Sequence, residues 1–237
     1  MIVLGLAGHA GSGKDTVADY LVERYGFIKF SFSDALYREV ATAFGLENED
    51  LRRDRATKEA PTELLSLIRC SDLAFREVGE QQISILRTTR GMITLPYAVM
   101  PLSPRQILQW WGTEYRRAQD PDYWINKAEE FIYAMTHEYG NYAELRPQAF
   151  VNTSVRFPNE REWVHSFAPF GSVWHLHRDT AMPVASHESE TPLPVLEGER
   201  EIWNNYTLEY LHMGVDQLMS STIPSIRVEP PEPMVAP

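Results

Sequence analysis

Cysteine is almost absent from the 237-residue chain, and the single thiol, Cys70, excludes an internal disulfide framework. One cysteine is typical of a protein from a reducing cytoplasm, and we expect Cys70 to be a small buried hydrophobic side chain. Long apolar runs are also missing. No stretch approaches the roughly 20 apolar residues of a membrane-spanning helix, and no basic segment precedes a signal-like apolar run. The sequence therefore predicts a cytoplasmic protein without a membrane partner.

Basic residues are in deficit, with 22 Lys and Arg against 33 Asp and Glu, a net charge of −11 and a pI near 5.1. This balance disfavours a dedicated nucleic-acid-binding protein, whose affinity would come mainly from cationic contacts with phosphates. It does not disfavour a small phosphorylated substrate, because such a ligand needs only a few well-placed arginines. We expect no stable nucleic-acid partner.

Short apolar runs that predict buried strands alternate with amphipathic segments that predict helices. The predicted strands cover residues 2–7, 27–32, 148–155, 171–178 and 225–228, and the predicted helices cover 16–25, 33–44, 64–86, 105–117, 123–139, 158–167 and 207–219. This alternation predicts an α/β fold with a parallel sheet of about five strands, flanked by helices and joined by right-handed crossovers.

No linker or repeat divides the chain, so we predict one domain over residues 1–228 and a Pro-rich tail over 229–237. Residues 47–59 are highly charged and are expected at the surface. Residues 179–199 are rich in Pro, Ser and Glu and lack periodicity, as an active-site lid or an exposed loop would.

A glycine-rich segment follows the first predicted strand and precedes the first predicted helix. It reads Gly-His-Ala-Gly-Ser-Gly-Lys-Asp-Thr over residues 8–16 and matches the phosphate-loop pattern G-x4-G-K-[ST] except at Asp15. Glycines let successive backbone N–H groups face phosphate oxygens, and the positive end of the next helix faces the same anion. Lys14 would reach the β- and γ-phosphates as a compact point charge. The predicted nucleotide-binding residues are Gly8, Gly11, Ser12, Gly13, Lys14, Asp15 and Thr16.

Asp15 occupies the place where this pattern normally supplies a hydroxyl to Mg²⁺. We expect Asp15 to contact Mg²⁺ or its water shell, and Thr16 to hydrogen-bond a phosphate. The alternative is a glycine-rich turn without a ligand. The buried strand before the segment and the amphipathic helix after it favour the nucleotide loop.

A phosphate loop does not fix the reaction, since motors, GTPases and kinases share it. The sequence contains neither the Asn-Lys-x-Asp segment of G proteins nor an apolar run ending in Asp-Glu, as an ATPase strand usually does. The short chain and the arginines scattered after the loop favour a small-molecule kinase.

Several segments resemble phage-type deoxynucleoside monophosphate kinases. The longest reads Ser-Pro-Arg-Gln-Ile-Leu-Gln-Trp-Trp-Gly-Thr-Glu-Tyr-Arg-Arg at residues 103–117, with Trp124 following. The others, in the family's order, are Gly13-Lys14-Asp15-Thr16, Phe32-Ser33-Asp34-Ala35-Leu36, Val155-Arg156-Phe157-Pro158-Asn159-Glu160, His187-Glu188-Ser189-Glu190 and Asn204-Asn205-Tyr206-Thr207-Leu208. The resemblance spans residues 2–218. It implies a P-loop fold of the nucleoside monophosphate kinase type, with a helical substrate-binding insertion over about 34–140 and a lid loop at 179–199.

The resemblance also implies ATP and Mg²⁺ as cofactors, and transfer of the γ-phosphoryl group to a deoxynucleoside monophosphate. One departure concerns the metal. The family has an Asp before the Val-Arg-Phe segment, whereas this chain has Ser154. Because this Asp is absent, its part in the metal shell would have to be taken by Asp15 and Asp34. Asp34 could be a metal-shell ligand, a base toward the acceptor or a helix N-cap.

Arginines suit phosphoryl transfer because their planar forks grip phosphate oxygens at two points. By the resemblance, Arg105 would hold the monophosphate, and Arg116 or Arg117 would approach the transferring group. Arg105 and Arg116 lie three turns apart on one predicted helix and so share a face. Gly112 and Thr113 lie on the same helix, where the resemblance places the substrate.

Three further residues complete the predicted substrate site. Trp124 could stack on the base, Arg38 could contact the acceptor phosphate, and Arg156 follows the third predicted strand as an anion ligand. Arg38 could instead be an ordinary exposed residue of its helix. Glu160 could orient Arg156 or support the next helix.

These observations predict the reaction ATP + dNMP → ADP + dNDP, supplying nucleotides for DNA synthesis, with Lys14, Asp34, Arg116 and Arg117 as catalytic residues. Three alternatives stay open: a kinase of another small acceptor such as dephospho-coenzyme A, a kinase of a hydroxymethylated base in DNA, and a non-catalytic nucleotide-binding module. The expected partners are small-molecule nucleotides, with the chain acting as a monomer or a homodimer, in a host cytoplasm if a phage encodes it.

Overall fold

The computed structural model describes residues 1–52, 55–90, 96–137, 149–181, 187–188 and 191–222. The chain forms two compact units, Met1–Ser31 with Ile132–Pro237, and Phe32–Phe131. The predicted strand at 225–228, the Pro-rich tail and part of the predicted lid fall outside the described residues. Among the helices in the described ranges, none is long and apolar enough to cross a bilayer. The expectation of one domain over 1–228 stays a prediction.

The first unit is built on a sheet of five strands, β1 Ile2–Ala7, β2 Ile28–Phe30, β3 Ala149–Asn152, β4 Gly171–His177 and β5 Arg200–Trp203. All neighbouring strands are parallel, and their order in the sheet is β2-β3-β1-β4-β5. β1 is central and almost wholly buried, which explains its unbroken apolar sequence. The predicted α/β class, with a parallel five-stranded sheet and flanking helices, is confirmed.

Helices cover both faces of this sheet. On one face, α1 (Lys14–Tyr25) and α9 (Leu208–Thr222) pack against Leu4 and Leu6 of β1 in a shared apolar core. On the other face lies α8 (Pro158–His165), so close to Gly5 that a Cβ there would come within 3.0 Å of the Val164 side chain. The central strand therefore leads out of a rigid, doubly covered sheet into the glycine-rich loop.

The second unit is helical. Its helices are α2 Ser33–Phe44, α3 Asn48–Arg52, α4 Arg55–Glu59, α5 Leu73–Arg90, α6 Pro104–Gln109 and the first part of α7 Tyr123–His137. α6 starts with a capping box, in which Ser103 and Gln106 bond to each other's backbone N–H groups, and Pro104 occupies the first turn as predicted. The helix then continues as a π-helix, Trp110–Arg117.

Two predicted helices differ from the structure, and one strand was not predicted. The fifth strand of the sheet is β5, which sequence patterning missed because this edge strand of four residues buries only Ile202. The helix predicted from residue 64 begins at Leu73, after two 3₁₀ turns, because the Asp72 carboxylate caps its N-terminus by accepting from the Phe75 N–H at 2.9 Å. The continuous α-helix predicted over 105–117 is α-helical only to Gln109.

Candidate functional site

The loop between β1 and α1 has the conformation that its glycines predict. Gly8, Gly11 and Gly13 have φ values of 138°, 81° and 103°. A Cβ on Gly8 would lie 2.4 Å from the Leu176 carbonyl oxygen of β4, and one on Gly13 would lie 2.3 Å from Asn204 Nδ2. Both positions therefore require glycine for two reasons, backbone conformation and close approach.

The N-terminus of α1 opens directly onto this loop. Gly13 is its N-cap residue and has no side chain that could accept from the first-turn N–H groups. These donors and the helix dipole make the end of α1 attractive to an anion. The predicted position of the loop, at the carboxyl end of the central strand, is the position where ligands bind in open α/β sheets.

Lys14 is the first residue of α1, and its ammonium folds back onto the loop. Its Nζ donates to the Gly8 carbonyl oxygen at 2.7 Å and to the His9 carbonyl oxygen at 2.8 Å. An ammonium has three donors on a flexible stem, so it can exchange loop carbonyls for phosphate oxygens without a change of backbone.

The Asp15 carboxylate forms an ion pair with a lysine from outside the glycine-rich loop. Lys29 of β2 places its Nζ 2.9 Å from the Asp15 carboxylate and 2.9 Å from that of Asp19. Burial alone would lower the pKa of Lys29, but the hydrogen bonds to the two aspartates outweigh burial and raise it. The Asp15 side chain nevertheless stays 79% exposed, so it is accessible to a cation.

A cavity of about 170 Å³ opens beside the loop, lined by Gly8, His9 and Ser12 and by the end of β4. Trp203 forms part of the wall and stacks on His177 with ring centroids 4.6 Å apart. The Ser12 hydroxyl is buried and has no hydrogen-bond partner among the described residues. Buried hydroxyls are normally satisfied, so this one is suited to bond with a ligand or a water molecule.

The carboxyl end of β3 is polar but uncharged. Ser31 donates to the Ser154 hydroxyl oxygen at 2.7 Å, and Asn152 Oδ1 accepts from the Ser154 N–H at 2.8 Å. Asn152 Nδ2 is buried and finds no acceptor in the described part of the chain. A serine–asparagine cluster therefore occupies the place where the resemblance expects an aspartate.

Arg156 lies two residues before the start of α8 and is exposed. The Glu160 carboxylate accepts from the backbone N–H groups of Arg156 at 2.8 Å and Phe157 at 3.2 Å. Glu160 thus supports the start of this helix, which was one of the two roles expected for it.

In the second unit, the Glu39 carboxylate accepts hydrogen bonds from Arg116 and from two aromatic side chains. Its carboxylate accepts from Trp111 Nε1 and from Arg116 Nε, each at 2.8 Å, and from the Tyr123 hydroxyl at 2.5 Å. The Arg116 guanidinium lies over the rings of Tyr115 and Tyr123, 4.5 and 5.0 Å from their centroids. Burial and the bond to Glu39 together raise the pKa of Tyr123 to about 12. Arg116 is therefore held in a fixed orientation.

A cleft of about 480 Å³ lies next to this cluster, within the volume range of about 300–1,000 Å³ that ligand pockets usually have. The cleft brings together Arg38 and Arg116, two of the predicted substrate-binding and catalytic arginines. Its wall also includes Glu39, Asp72 and Trp111. The mixture of cationic, acidic and aromatic groups is suited to a polar ligand with an anionic part.

Arg105 does not line this cleft. It forms an ion pair with Glu59 and is mostly buried. The predicted common face with Arg116 assumed α-helical turns throughout, whereas the i→i+5 bonding of a π-helix turns the chain less per residue. The two arginines consequently pair with different carboxylates.

The remaining predicted site residues of this segment lie on the π-helix or contact it. Gly112 is buried, and its carbonyl oxygen accepts from Trp124 Nε1 at 3.0 Å. Trp124 is itself buried, so the hydrogen bond fixes the π-helix to α7. Thr113 and Arg117 are half-buried on the π-helix, and Asp34 is half-buried in the first turn of α2.

The predicted site residues divide between the two units. The phosphate-loop residues and Arg156 belong to the first unit, whereas the second unit contains Asp34, Arg38, Arg105, Gly112, Thr113, Arg116, Arg117 and Trp124. Sequence reasoning missed Lys29 and Glu39. The Asp15–Asp19 pair on one helix face was a signal for a nearby cation, but nothing in the local sequence distinguishes Glu39 from other helix glutamates.

Within the described ranges, no group of three or more His, Cys, Asp and Glu side chains is arranged to hold a metal ion.

A known protein is similar to this chain over nearly the whole of both sequences. The chain is 27% identical over 222 residues to a protein of Acanthamoeba polyphaga mimivirus named "Putative deoxynucleotide monophosphate kinase", covering 91% of this chain and 94% of the relative. No family model matches the chain. A crystal structure of a sugar kinase from Janibacter sp. HTCC2649 aligns over 97% of this chain and 99% of its own at 12% identity, with a TM-score of 0.40.

Proposed function

We propose that the protein is a kinase that transfers the γ-phosphoryl group of ATP to a deoxynucleoside 5′-monophosphate, giving a deoxynucleoside diphosphate. The observation that carries the proposal is the loop of three positive-φ glycines between the central strand and the uncapped N-terminus of α1, with the Lys14 ammonium resting on it. The mimivirus relative supports the choice of acceptor, because the similarity covers almost the whole of both chains.

On the donor side, backbone N–H groups of the loop would bind the β- and γ-phosphates, and Lys14 would move from the carbonyl oxygens of Gly8 and His9 to the phosphates. These groups would neutralise charge that spreads over the transferring oxygens in the transition state. Thr16, exposed in the first turn of α1, would add a hydroxyl to the phosphates.

Asp15 fits a magnesium ion that is held mainly by phosphate oxygens and water, since Mg²⁺ keeps several waters and accepts one or two carboxylates. Its side chain is 79% exposed and follows Lys14 directly. The bound ion would supply further charge neutralisation on the phosphates. Lys29 would compete with it for the carboxylate.

On the acceptor side, the proposal uses the arginines of the second unit. Arg38 and Arg116 line one cleft, and Arg116 is oriented by Glu39 and by two tyrosine rings. A rigid guanidinium loses little conformational freedom when it binds phosphate, so this arrangement favours anion recognition. Arg105, Arg117 and Arg156 are the further candidates for contacts with the monophosphate or the transferring group.

An acceptor panel tests the proposal. Purified protein is incubated with ATP, Mg²⁺ and, in separate reactions, each natural and hydroxymethylated dNMP, dephospho-coenzyme A and a single-stranded oligonucleotide. Phosphorylation of one or more free dNMPs, absent in Lys14→Ala, is the expected result. Turnover of the oligonucleotide or dephospho-coenzyme A alone would replace the proposed acceptor with that one. ATP binding without turnover of any acceptor would indicate a nucleotide-binding module.

A further inference from the structure

The residue after β5 is bonded to the phosphate loop at one particular peptide group. Asn204 Nδ2 donates to the Ser12 carbonyl oxygen at 3.0 Å, and the same atom lies against Gly13 so closely that a Cβ there would be 2.3 Å away. The Asn204 backbone is fixed as well, because its N–H donates to the His177 carbonyl oxygen at 2.8 Å at the end of β4. The side chain therefore reaches the loop from a rigid part of the sheet.

The bonded carbonyl shares a peptide group with a possible phosphate donor. In a trans peptide, the C=O of one residue and the N–H of the next point in opposite directions. A fixed Ser12 carbonyl therefore fixes the Gly13 N–H, directing it away from Asn204. This N–H has no acceptor among the described residues, so it is available to a ligand.

The peptide needs such a restraint because of the residue that follows it. Gly13 has φ of 103°, and glycine occupies positive and negative φ almost equally well. Without an external bond, the Ser12–Gly13 peptide could rotate and present its carbonyl oxygen, instead of its N–H, to an anion. A carbonyl oxygen facing a phosphate would repel it.

We propose that Asn204 is a positioning residue, which holds the Ser12–Gly13 peptide in the orientation that presents the Gly13 N–H to the phosphates of the donor nucleotide. This inference rests on the proposed function, because it takes the loop to be a triphosphate site. It adds a residue more than 180 positions along the chain from the loop and gives it a defined task, carried out through its side-chain amide rather than by contact with the nucleotide.

Two variants and one control test the role. Asn204→Leu keeps a similar volume and removes the donor. Asn204→Asp also removes the donor, keeps the shape, and serves if the leucine variant does not fold. Asn205→Ala is the matched control: it alters the adjacent asparagine, whose side-chain oxygen accepts from the Asp179 N–H at 2.9 Å.

The first measurement is the Gly13 amide resonance in a ¹⁵N–¹H correlation spectrum of the ligand-free protein. We expect one sharp resonance in the wild type and in Asn205→Ala, and a shifted, doubled or exchange-broadened resonance in Asn204→Leu. An unchanged Gly13 resonance in the Asn204 variants would overturn the proposal.

The second measurement is calorimetric binding of inorganic tripolyphosphate with Mg²⁺. If the free peptide spends about nine tenths of its time in the wrong orientation, the apparent affinity falls roughly tenfold. We expect that loss in the Asn204 variants and less than a twofold change in Asn205→Ala. Equal affinity in all three proteins contradicts the positioning role. A wild-type protein that binds no tripolyphosphate contradicts the proposed function instead, and the Gly13 resonance then still decides the orientation of the peptide.

Discussion

Lys29 and Asp15 form an ion pair across the start of α1, with Nζ and Oδ1 2.9 Å apart. Asp15 follows Lys14 directly in the chain, and its carboxylate is the one that we propose for the magnesium shell. Whether Asp15 serves the metal or only the fold can therefore be decided by altering its partner.

If Asp15 belongs to the magnesium shell, Lys29→Met should lower the Mg²⁺ concentration needed for half-maximal activity, since it removes the competing cation. Asp15→Ala should raise that concentration, and Asp15→Ser should stay active because a serine restores the usual hydroxyl. The measurement is a Mg²⁺ titration of initial rate at saturating ATP. Loss of thermal stability in Asp15→Ala and Lys29→Met, with an unchanged Mg²⁺ dependence, would make the carboxylate structural.

Lys14→Ala should nearly abolish phosphoryl transfer and leave the fold intact, because the ammonium bonds to loop carbonyl oxygens and the side chain is not part of the buried core. Far-ultraviolet circular dichroism and a thermal melt check the fold, and steady-state assays give kcat. Lys58→Ala, which alters a lysine on α4, is the control. Retention of more than about a tenth of wild-type kcat, a loss below ~1.4 kcal/mol of transition-state stabilisation, would contradict the role.

Arg105→Ala should raise the KM for dNMP at least tenfold and change the KM for ATP little. Loss of a charge-assisted bond to phosphate costs roughly 1.5–3 kcal/mol, and Arg105→Lys should restore only part of it because an ammonium lacks the planar fork. Arg69→Ala, an exposed arginine of the same unit, is the matched control. A rise in the KM for ATP would place Arg105 on the donor side, and unchanged kinetics would limit it to the pair with Glu59.

Glu199 should make stability depend on pH in the acid range. Burial alone would raise its pKa, but hydrogen bonds from the Leu196 N–H and from the rings of His165 and His175 outweigh burial and hold the pKa below the ordinary 4.5. A carboxyl with a lowered folded-state pKa contributes stability above its unfolded pKa, and loses it as the pH falls through the folded pKa. Unfolding by urea should therefore show Glu199→Gln to be less stable than wild type at pH 7, with a difference that shrinks below about pH 4.5.

Glu209→Gln, which alters an exposed carboxylate in the first turn of α9, is the control for that series and should show little change with pH. A stability difference between Glu199→Gln and wild type that stays constant from pH 7 into the acid range would mean that Glu199 contributes through packing and not through its charge.

The glycine-rich loop and the inner strands could be predicted from the sequence because their causes are local. β1 is buried on both faces and therefore reads as an unbroken apolar run, and the positive φ values at Gly8 and Gly13 require a residue without a Cβ. By the same reasoning β5 could not be predicted, since an edge strand with Ile202 as its one buried residue has no local pattern.

The partners of the site residues were decided by the tertiary structure alone. Asn204 reaches Ser12 across 192 positions, Glu39 reaches Arg116 across 77, and the bond from Trp124 to Gly112 accompanies a π-helix where the residue spacing predicted an α-helix. A sequence determines torsional preferences and the spacing of apolar residues. Which distant donor meets which acceptor depends on how the helices pack against the sheet and against one another, because hydrogen bonds form only between groups that packing brings within about 3 Å.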